Sequence, residues 1–381
     1  MSNLVPQRLR IEKDIVTRVK RVLKGKGKLN ITVGQQVTPA DIIGTALISS
    51  GFRTLNLADA LSVSADKINK YLKKQIGQRV YKDELLAFKE GGLLGGKKIV
   101  LSPTDGTLDH INPKTGEIRL THLAKKVDLP SGVFGIVEKA DNERGIATIK
   151  TQVSRVYGMF GSGRWRDGNL IILGSRDSLI NKADISPKYD DHILVGGSLI
   201  FKDAITAAIS AGINGIITGG INAQDYRSMA GGKISFPKKL ENDIGISIIV
   251  CEGFGSLQIG EDLYPLLKEY NGKFVSMEGN SAILNLPSFE SKSIIRVKAT
   301  QLPPIPESEF ETEEKVMSVR ELKVGDRVRA IGNTYGGEQG RILFIDQTES
   351  ILAAGLKAIL VTIETKRRKI QLPVANLEVI S

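Results

Sequence analysis

Three groups of residues in this sequence have types and spacings that could do chemistry. The first is a set of cations near the C-terminus, which could neutralise phosphate groups. Its members are Arg327, Arg329, Arg341, Lys366, Arg367, Arg368 and Lys369. The last four form a continuous run at the predicted tip of a hairpin, and the first three fall on strands predicted to share one wall of a β-structure. The alternative for the run is a solvated basic loop.

The second group is an aromatic residue between two arginines. Arg164, Trp165 and Arg166 lie in the glycine-rich stretch "YGMFGSGRWRDGNL" (157–170). Arginines beside an aromatic ring can stack a base or bind a phosphate. The same residues can equally cover the rim of a β-structure, and the sequence leaves both interpretations open.

The third group consists of glycine-rich turns at the predicted carboxyl ends of buried strands. Its members are Gly196, Gly197, Gly219, Gly220, Glu252, Gly253 and Gly255. Parallel sheets bind ligands at these strand ends, and such turns can hold a phosphate through backbone amides. The sequence contains no complete G-x-G-x-x-G and no P-loop. The structural alternative is that the glycines allow close packing of the backbone.

Cys251 and Glu252 at a strand end could serve nucleophilic chemistry with a histidine base. The chain's histidines, His110, His122 and His192, have no spacing that supports this, and a buried strand cysteine is the simpler interpretation. No cluster with metal-ligand spacing stands out. We therefore predict a non-enzymatic protein with no catalytic residue, no metal and no cofactor.

The charge of the chain favours an anionic partner. The formal net charge is +11, and residues 1–30 contain nine Lys or Arg against only Glu12 and Asp14. We predict that residues 1–28 form a basic arm that contacts a polyanion, with a solvated tail as the alternative. The single cysteine fits a reducing cytoplasm. No signal-peptide pattern and no apolar run of about 18 residues appear, so we expect a cytoplasmic protein without membrane insertion.

An internal repeat organises the first part of the chain. "VGQQVTPADIIG" (33–44) aligns without gaps to "IGQRVYKDELLA" (76–87), and each copy predicts a glycine turn, a short strand, a second turn and an apolar strand. With Pro103 and Gly106 further on, residues 28–125 resemble the barrel-sandwich hybrid of biotinyl and lipoyl carrier domains. The resemblance implies a fold rather than a carrier function, because "GGLLGGKKIVLSP" replaces the usual setting of the modified lysine.

The remaining segments follow from changes in periodicity. We predict a β-rich, barrel-sandwich-like domain over 29–180, with a helical insertion at 51–75 that could alternatively form a helix-turn-helix. Strands alternating with helices over 188–296 predict a small parallel α/β unit. The proline-rich and acidic stretch 297–319 predicts a linker.

Residues 320–381 alternate apolar and polar residues around Gly336-Gly337, and Ile342, Phe344 and Ile345 are expected to enter the core. With Gly340 after a basic strand, the segment resembles the KOW motif of NusG-type and ribosomal proteins, an SH3-like barrel. The resemblance implies contact with RNA, a ribonucleoprotein or the transcription machinery.

The predicted fold class is thus a multidomain β and α/β protein with a barrel-sandwich-like domain, a small α/β unit and a C-terminal SH3-like KOW barrel. The predicted function is binding of nucleic acid or a ribonucleoprotein or transcription partner. One alternative is a protein–protein adaptor in which the first barrel docks a protein partner. Another is a ligand-binding or enzymatic α/β unit.

Overall fold

A computed structural model describes residues 4–48, 51–91, 96–122, 125–229, 244–304, 318–331 and 335–380. Over these ranges the chain is β-rich, with strands in several sheets and a few short helices. This confirms the predicted β-rich, multi-sheet architecture. Within the same ranges, no helix is both long and apolar enough to cross a membrane.

The elements follow in chain order. Residues 4–48 form β1 (Leu4–Arg8), β2 (Ile11–Val22), β3 (Lys26–Leu29), β4 (Gln36–Val37) and β5 (Ile42–Ile48). Residues 51–122 form β6 (Phe52–Asn56), α1 (Leu57–Leu61), α2 (Ile68–Tyr71), β7 (Arg79–Val80), β8 (Leu85–Lys89), β9 (Lys98–Leu101), β10 (Gly106–Ile111) and β11 (Glu117–Thr121). Residues 125–180 form β12 (Lys125–Pro130), β13 (Gly135–Asp141), β14 (Ile146–Tyr157), β15 (Phe160–Ser162), β16 (Trp165–Ile172) and β17 (Leu179–Ile180).

The second half continues the series. Residues 193–299 form β18 (Ile193–Val195), β19 (Leu199–Ile200), α3 (Lys202–Ser210), β20 (Gly215–Ile221), α4 (Ala223–Met229), β21 (Ser247–Phe254), α5 (Leu263–Glu269), β22 (Phe274–Glu278), β23 (Ile283–Pro287) and α6 (Ser293–Ala299). Residues 318–380 form β24 (Ser318–Glu321), β25 (Arg327–Ala330), β26 (Gln339–Ile345), β27 (Ser350–Ile351), β28 (Lys357–Ala358), β29 (Leu360–Thr365), β30 (Lys369–Pro373) and β31 (Leu377–Ile380).

The two copies of the internal repeat follow the same backbone course. Each begins with a turn at a glycine of positive φ, 87° at Gly34 and 90° at Gly77, where a side chain would be strained. In each copy a carboxylate, Asp41 or Glu84, accepts a hydrogen bond from the amide three residues earlier, at 2.7 and 2.9 Å respectively. The sequence repeat is therefore confirmed as a structural repeat.

The second repeat copy lies in a separate unit of the chain, which is inserted between β5 and β12. Strands β5 and β12 pair antiparallel, with Lys125 opposite Ile48. The chain between them therefore leaves the sheet at the end of β5 and returns to it at the start of β12. This inserted unit, residues 51–122, has a sheet of order β6-β11-β10-β7 and the hairpin β8–β9. The predicted helical insertion at 51–75 is thus only part of a larger insertion, because its helices pack on the core of that unit.

The α/β part shares one sheet with the β-strands that precede it. Strands β16, β18, β20 and β21 pair in parallel, and β22, β23 and β14 extend the same sheet. Strand β22 pairs antiparallel with β16, so the last of the predicted α/β strands is not parallel. The apolar stretch 192–200 contains two strands separated by the turn at 196–198.

Residues 4–29 form strands instead of the predicted basic arm. Strand β1 lies between β24 and β31 in the C-terminal sheet, and β2 pairs with β14 along most of its length. Val5 and Val19 are buried in the two sheets. Their apolar side chains explain why this charged segment packs against the protein.

The C-terminal sheet has the order β24-β1-β31-β25-β26-β29-β30. Its inner face is apolar and includes Val328, Ile342, Val361 and Ile363. The predicted linker at 297–319 overlaps the elements at both ends, since its first residues complete α6 and its last two begin β24. Residues 305–317 of that prediction lie outside the described part of the chain.

Candidate nucleic-acid interface

The outer face of the C-terminal sheet carries a row of charged side chains across four strands. Arg327 pairs with Arg341, Arg341 with Glu364, and Glu364 with Lys369. All four side chains are exposed. Like charges directly opposite each other destabilise an antiparallel pair, so an anion bound over Arg327 and Arg341 would remove a local repulsion.

A β-bulge adds an aromatic ring to this face. The strand register shifts between Ile342 and Phe344, which leaves Leu343 as the extra residue. Ile342 is buried, whereas Phe344 lies opposite Thr362 and is 57% exposed. The expectation that Phe344 enters the core is therefore wrong, because a bulge reverses the side-chain alternation after it. The only sequence signal was the run of four apolar residues at 342–345, which simple alternation cannot place.

The basic loop 366–369 lies beside this face, and its side chains are exposed. Three of its cations have carboxylate partners: Lys366 lies 2.5 Å from Glu261, Arg368 lies 2.5 Å from Glu338, and Lys369 lies 4.0 Å from Glu364. Such exposed ion pairs contribute only about 0–1 kcal/mol. Phosphates could therefore replace these carboxylates at small cost.

Arg329 does not belong to the exposed face, although the sequence placed it with Arg327. It is 1% exposed, its Nε donates to Glu378 at 2.6 Å, and its Nη1 contacts Glu252. These residues belong to a buried ionic cluster, the seam network, at the contact between the C-terminal sheet and the α/β part. The seam network consists of Arg8, Arg10, Glu252, Asp262, Arg329 and Glu378.

Glu252 is the centre of the seam network and is 2% exposed. Arg10 donates two hydrogen bonds to its carboxylate, at 2.7 and 2.9 Å, and the amide of Gly260 donates a third at 2.8 Å. Arg10 also donates to Asp262 at 2.7 Å. Glu252 was predicted to contact a ligand, but its oxygens are occupied by groups of the protein itself. The three arginines and three carboxylates balance in charge.

The seam network shifts the pKa of its carboxylates. Burial disfavours the charged form of Glu252, but the hydrogen bonds and charge of Arg10 and the charge of Arg329 outweigh it and hold the pKa below its usual range. Burial likewise opposes ionisation of Asp262, and Arg10 again dominates, so that its pKa is also lowered. Both groups therefore stabilise the fold in their ionised form.

We expect acid to destabilise the fold through these groups. A carboxylate with a lowered folded-state pKa contributes stability above its unfolded value, about 4.3 for Glu and 3.9 for Asp, and this is lost as the pH falls through the folded pKa. Urea unfolding between about pH 6 and pH 3 should show a falling free energy, with a shallower fall in Asp262→Asn. Parallel curves for the two proteins would contradict this assignment.

The glycine-rich turns use their backbone amides within the protein. The amide of Gly196 donates to the carbonyl of Ile217 at 2.7 Å, and that of Gly219 to the carbonyl of Gly197 at 2.9 Å. The amide of Gly255 donates to the carbonyl of Ile221 at 2.9 Å. Amides that already donate to carbonyls cannot also hold a phosphate, so the hydrogen bonding favours the structural alternative.

Close packing of the backbone explains why these positions are occupied by glycine. A Cβ at Gly197, Gly219 or Gly220 would overlap the backbone of Ser178, Leu257 or Gly255, respectively. Gly253 and Gly255 have positive φ, 142° and 101°. The strand ends are therefore covered by neighbouring loops, which fill the place where a parallel sheet would bind a ligand.

Trp165 packs on the protein. Its ring is partly buried, and the indole Nε1 donates to the carbonyl of Lys20 at 3.1 Å. Arg164 is exposed and Arg166 partly buried. The interpretation in which Trp165 covers the rim of a β-structure is therefore favoured. Among the described strands, no pairing places Arg164, Trp165 and Arg166 next to the charged row of the C-terminal sheet.

Cys251 is fully buried, and burial raises the pKa of its thiol to about 12, which keeps it protonated near neutral pH. Over the residues that the structure describes, no group of three or more His, Cys, Asp or Glu could hold a metal ion.

A scan of the chain against protein-family models finds no match, and a search of curated proteins finds no significant match. Function therefore has to be inferred from the geometry of the exposed faces.

Proposed function

We propose that the protein is a non-enzymatic binding protein whose C-terminal sheet contacts nucleic acid, free or within a ribonucleoprotein or transcription complex. The observation that carries this proposal is the exposed face on which Phe344 lies beside the opposed pair Arg327 and Arg341. Proteins that bind single strands combine cations that follow the phosphates with aromatic rings that stack on bases. The basic loop 366–369 extends the same face.

The KOW resemblance supports the same function. In that interpretation Gly340 is the glycine of the motif, at the point where two strands approach closely. A Cβ at Gly340 would lie 2.5 Å from the carbonyl oxygen of Glu364, so that only glycine fits without a shift. This requirement for glycine agrees with the place of Gly340 in the proposed KOW motif.

The two alternatives differ in support. The ligand-binding alternative is weakened, because the glycine turns and Glu252 are occupied by groups of the protein. The adaptor alternative is favoured by the hairpin β8–β9, where Leu85 lies opposite Leu101 and both are exposed. If the protein binds no nucleic acid at low salt, the nucleic-acid function is rejected and the adaptor function is favoured.

We expect the double variant Arg327→Ala/Arg341→Ala to weaken RNA binding and to reduce its salt dependence. Each lost phosphate contact lowers the slope of log affinity against log salt by roughly 0.7 to 0.9, so the double variant should lose about 1.4 to 1.8. The measurement is fluorescence anisotropy of a labelled RNA with full-length protein over a series of KCl concentrations.

The matched control removes two exposed cations from α6, Arg296→Ala/Lys298→Ala, with the same change in net charge. Its slope should stay close to that of the wild type. Equal slopes for both double variants would mean that binding reports the overall charge of the protein, and the proposed interface would then be rejected.

A further inference from the structure

The inserted unit has an exposed phenylalanine that its core does not use. Phe52 lies on β6, at the edge of the four-stranded sheet, and is 61% exposed. The guanidinium carbon of Arg119 lies 5.4 Å from the centre of its ring. An aromatic ring that is exposed to this extent gains only a small part of the hydrophobic stabilisation that full burial would give. The exposed face of the Phe52 ring is therefore available to a binding partner.

The strand register places Phe52 in a row that crosses the whole sheet. Phe52 pairs with Thr121, Thr121 with Thr107, and Thr107 with Arg79. The neighbouring residues Val80, Leu108 and Leu120 are buried in the core of the inserted unit, so this row faces away from it. Arg79 is exposed.

A second row lies next to the first on the same face. Thr54 pairs with Arg119, and Arg119 pairs with His110 across a bulge between Leu108 and His110. Arg119 also donates to Asp109 at 2.7 Å, which holds its guanidinium in place. The face therefore presents the Phe52 ring, the His110 ring, several hydroxyl groups and two arginines, of which Arg119 is paired with Asp109.

These groups fit single-stranded nucleic acid. An exposed ring stacks on any base, but only on a base whose face is free, which excludes the paired bases inside a duplex. At the usual strand spacing of about 4.8 Å, Arg79 lies roughly 14 Å from Phe52. A single strand whose base stacks on Phe52 can therefore run across the sheet and place one of its further phosphates near Arg79. The threonine hydroxyls between them can donate to phosphate or sugar oxygens.

We infer that this face of the inserted unit is a second nucleic-acid contact, specific for single strands, with a base stacked on Phe52 and a phosphate on Arg79. This inference rests on the proposed function, because it assumes that nucleic acid is the partner. It adds a preference for single-stranded over duplex nucleic acid, and it places a second binding surface on a different unit of the protein. Two linked contacts would bind one strand more tightly than either alone.

The test uses full-length protein and a labelled oligo(U) of about 16 nucleotides, compared with a duplex of the same length. Phe52→Leu, which keeps apolar bulk but removes the aromatic face, should weaken single-strand binding about tenfold and leave duplex binding unchanged. Phe52→Trp should bind within about twofold of the wild type, and its added tryptophan should be quenched by the RNA. Arg79→Ala should lower the salt slope by roughly 0.7.

Phe289→Leu is the matched control, because Phe289 is also an exposed phenylalanine with a cation, Lys273, over its ring, and it lies beside Tyr270. It should bind like the wild type. All these substitutions are at exposed positions, and thermal unfolding should show that each variant is folded.

The outcomes separate this inference from the function on which it rests. If the wild type binds RNA and Arg327→Ala/Arg341→Ala weakens it while Phe52→Leu and Arg79→Ala do not, the second contact is rejected and the C-terminal interface stands. Equal losses in Phe52→Leu and Phe289→Leu would also reject it. If the wild type binds neither single-stranded nor duplex RNA at low salt, the proposed function itself fails, and the second contact fails with it.

Discussion

Replacing Glu252 by glutamine is expected to lower the free energy of unfolding by about 3–5 kcal/mol. The substitution keeps the shape of the side chain but removes the negative charge between Arg10 and Arg329, both 1% exposed. Two guanidinium groups would then share a buried site with too little compensating charge. Urea denaturation measures the effect as a lower midpoint with an unchanged slope.

The control for this experiment is Glu261→Gln. The carboxylate of Glu261 pairs with Arg176 and Lys366 at the surface, and such pairs contribute about 0–1 kcal/mol. Similar losses in the two variants would show that Glu252 is not the centre of a buried network. Replacing Arg10, Glu252, Asp262 and Arg329 together by apolar residues should recover stability, because the pair Arg8 and Glu378 then remains balanced. A buried ionic group costs most when only one partner is removed.

Deleting residues 1–28 is expected to prevent folding rather than simply weaken nucleic-acid binding. The deletion removes β1, which joins β24 to β31, and β2, which pairs with β14. It also removes Arg8 and Arg10, which leaves Asp262 without its arginine. Glu252 and Glu378 would then share Arg329 as their remaining buried counter-charge. Soluble yield and circular dichroism of the truncated protein measure the result.

A charge-only variant separates folding from binding. Lys24, Lys26 and Lys28 are exposed, so replacing the three by alanine should leave the melting temperature nearly unchanged. A truncated protein that folds and melts like the full chain, with only weaker RNA binding, would restore the interpretation of this segment as a basic arm.

The repeat shows what short-range pattern can predict. Gly34 and Gly77 were predicted as turn residues, and both have the positive φ that favours glycine. The buried strand β20 likewise coincides with a local sequence run, "GIITGGI" (215–221). These features depend on residues a few positions apart, so the sequence reports them directly.

The candidate site was only partly predictable. Arg327 and Arg341 do share one exposed face, but Arg329 is buried, although all three were assigned to the same wall. Arg327 and Arg329 are two residues apart on one strand, so their side chains point to the same face of the sheet. Which of them is covered depends on another part of the chain, here the carboxyl end of β21, and no local pattern contains that information.

The sequence by itself determined the local elements: the glycine turns, the alternating strands, the apolar runs and the excess of positive charge. Only the tertiary structure decided which of those charges are buried, since pairing of Leu4 with Glu321 and contact of Arg329 with Glu252 join residues far apart in the chain. It also decided that Phe344 faces outward, because one bulged residue reverses the alternation. Many long-range pairings suit the same local pattern, and the choice among them depends on packing and charge compensation over the whole molecule.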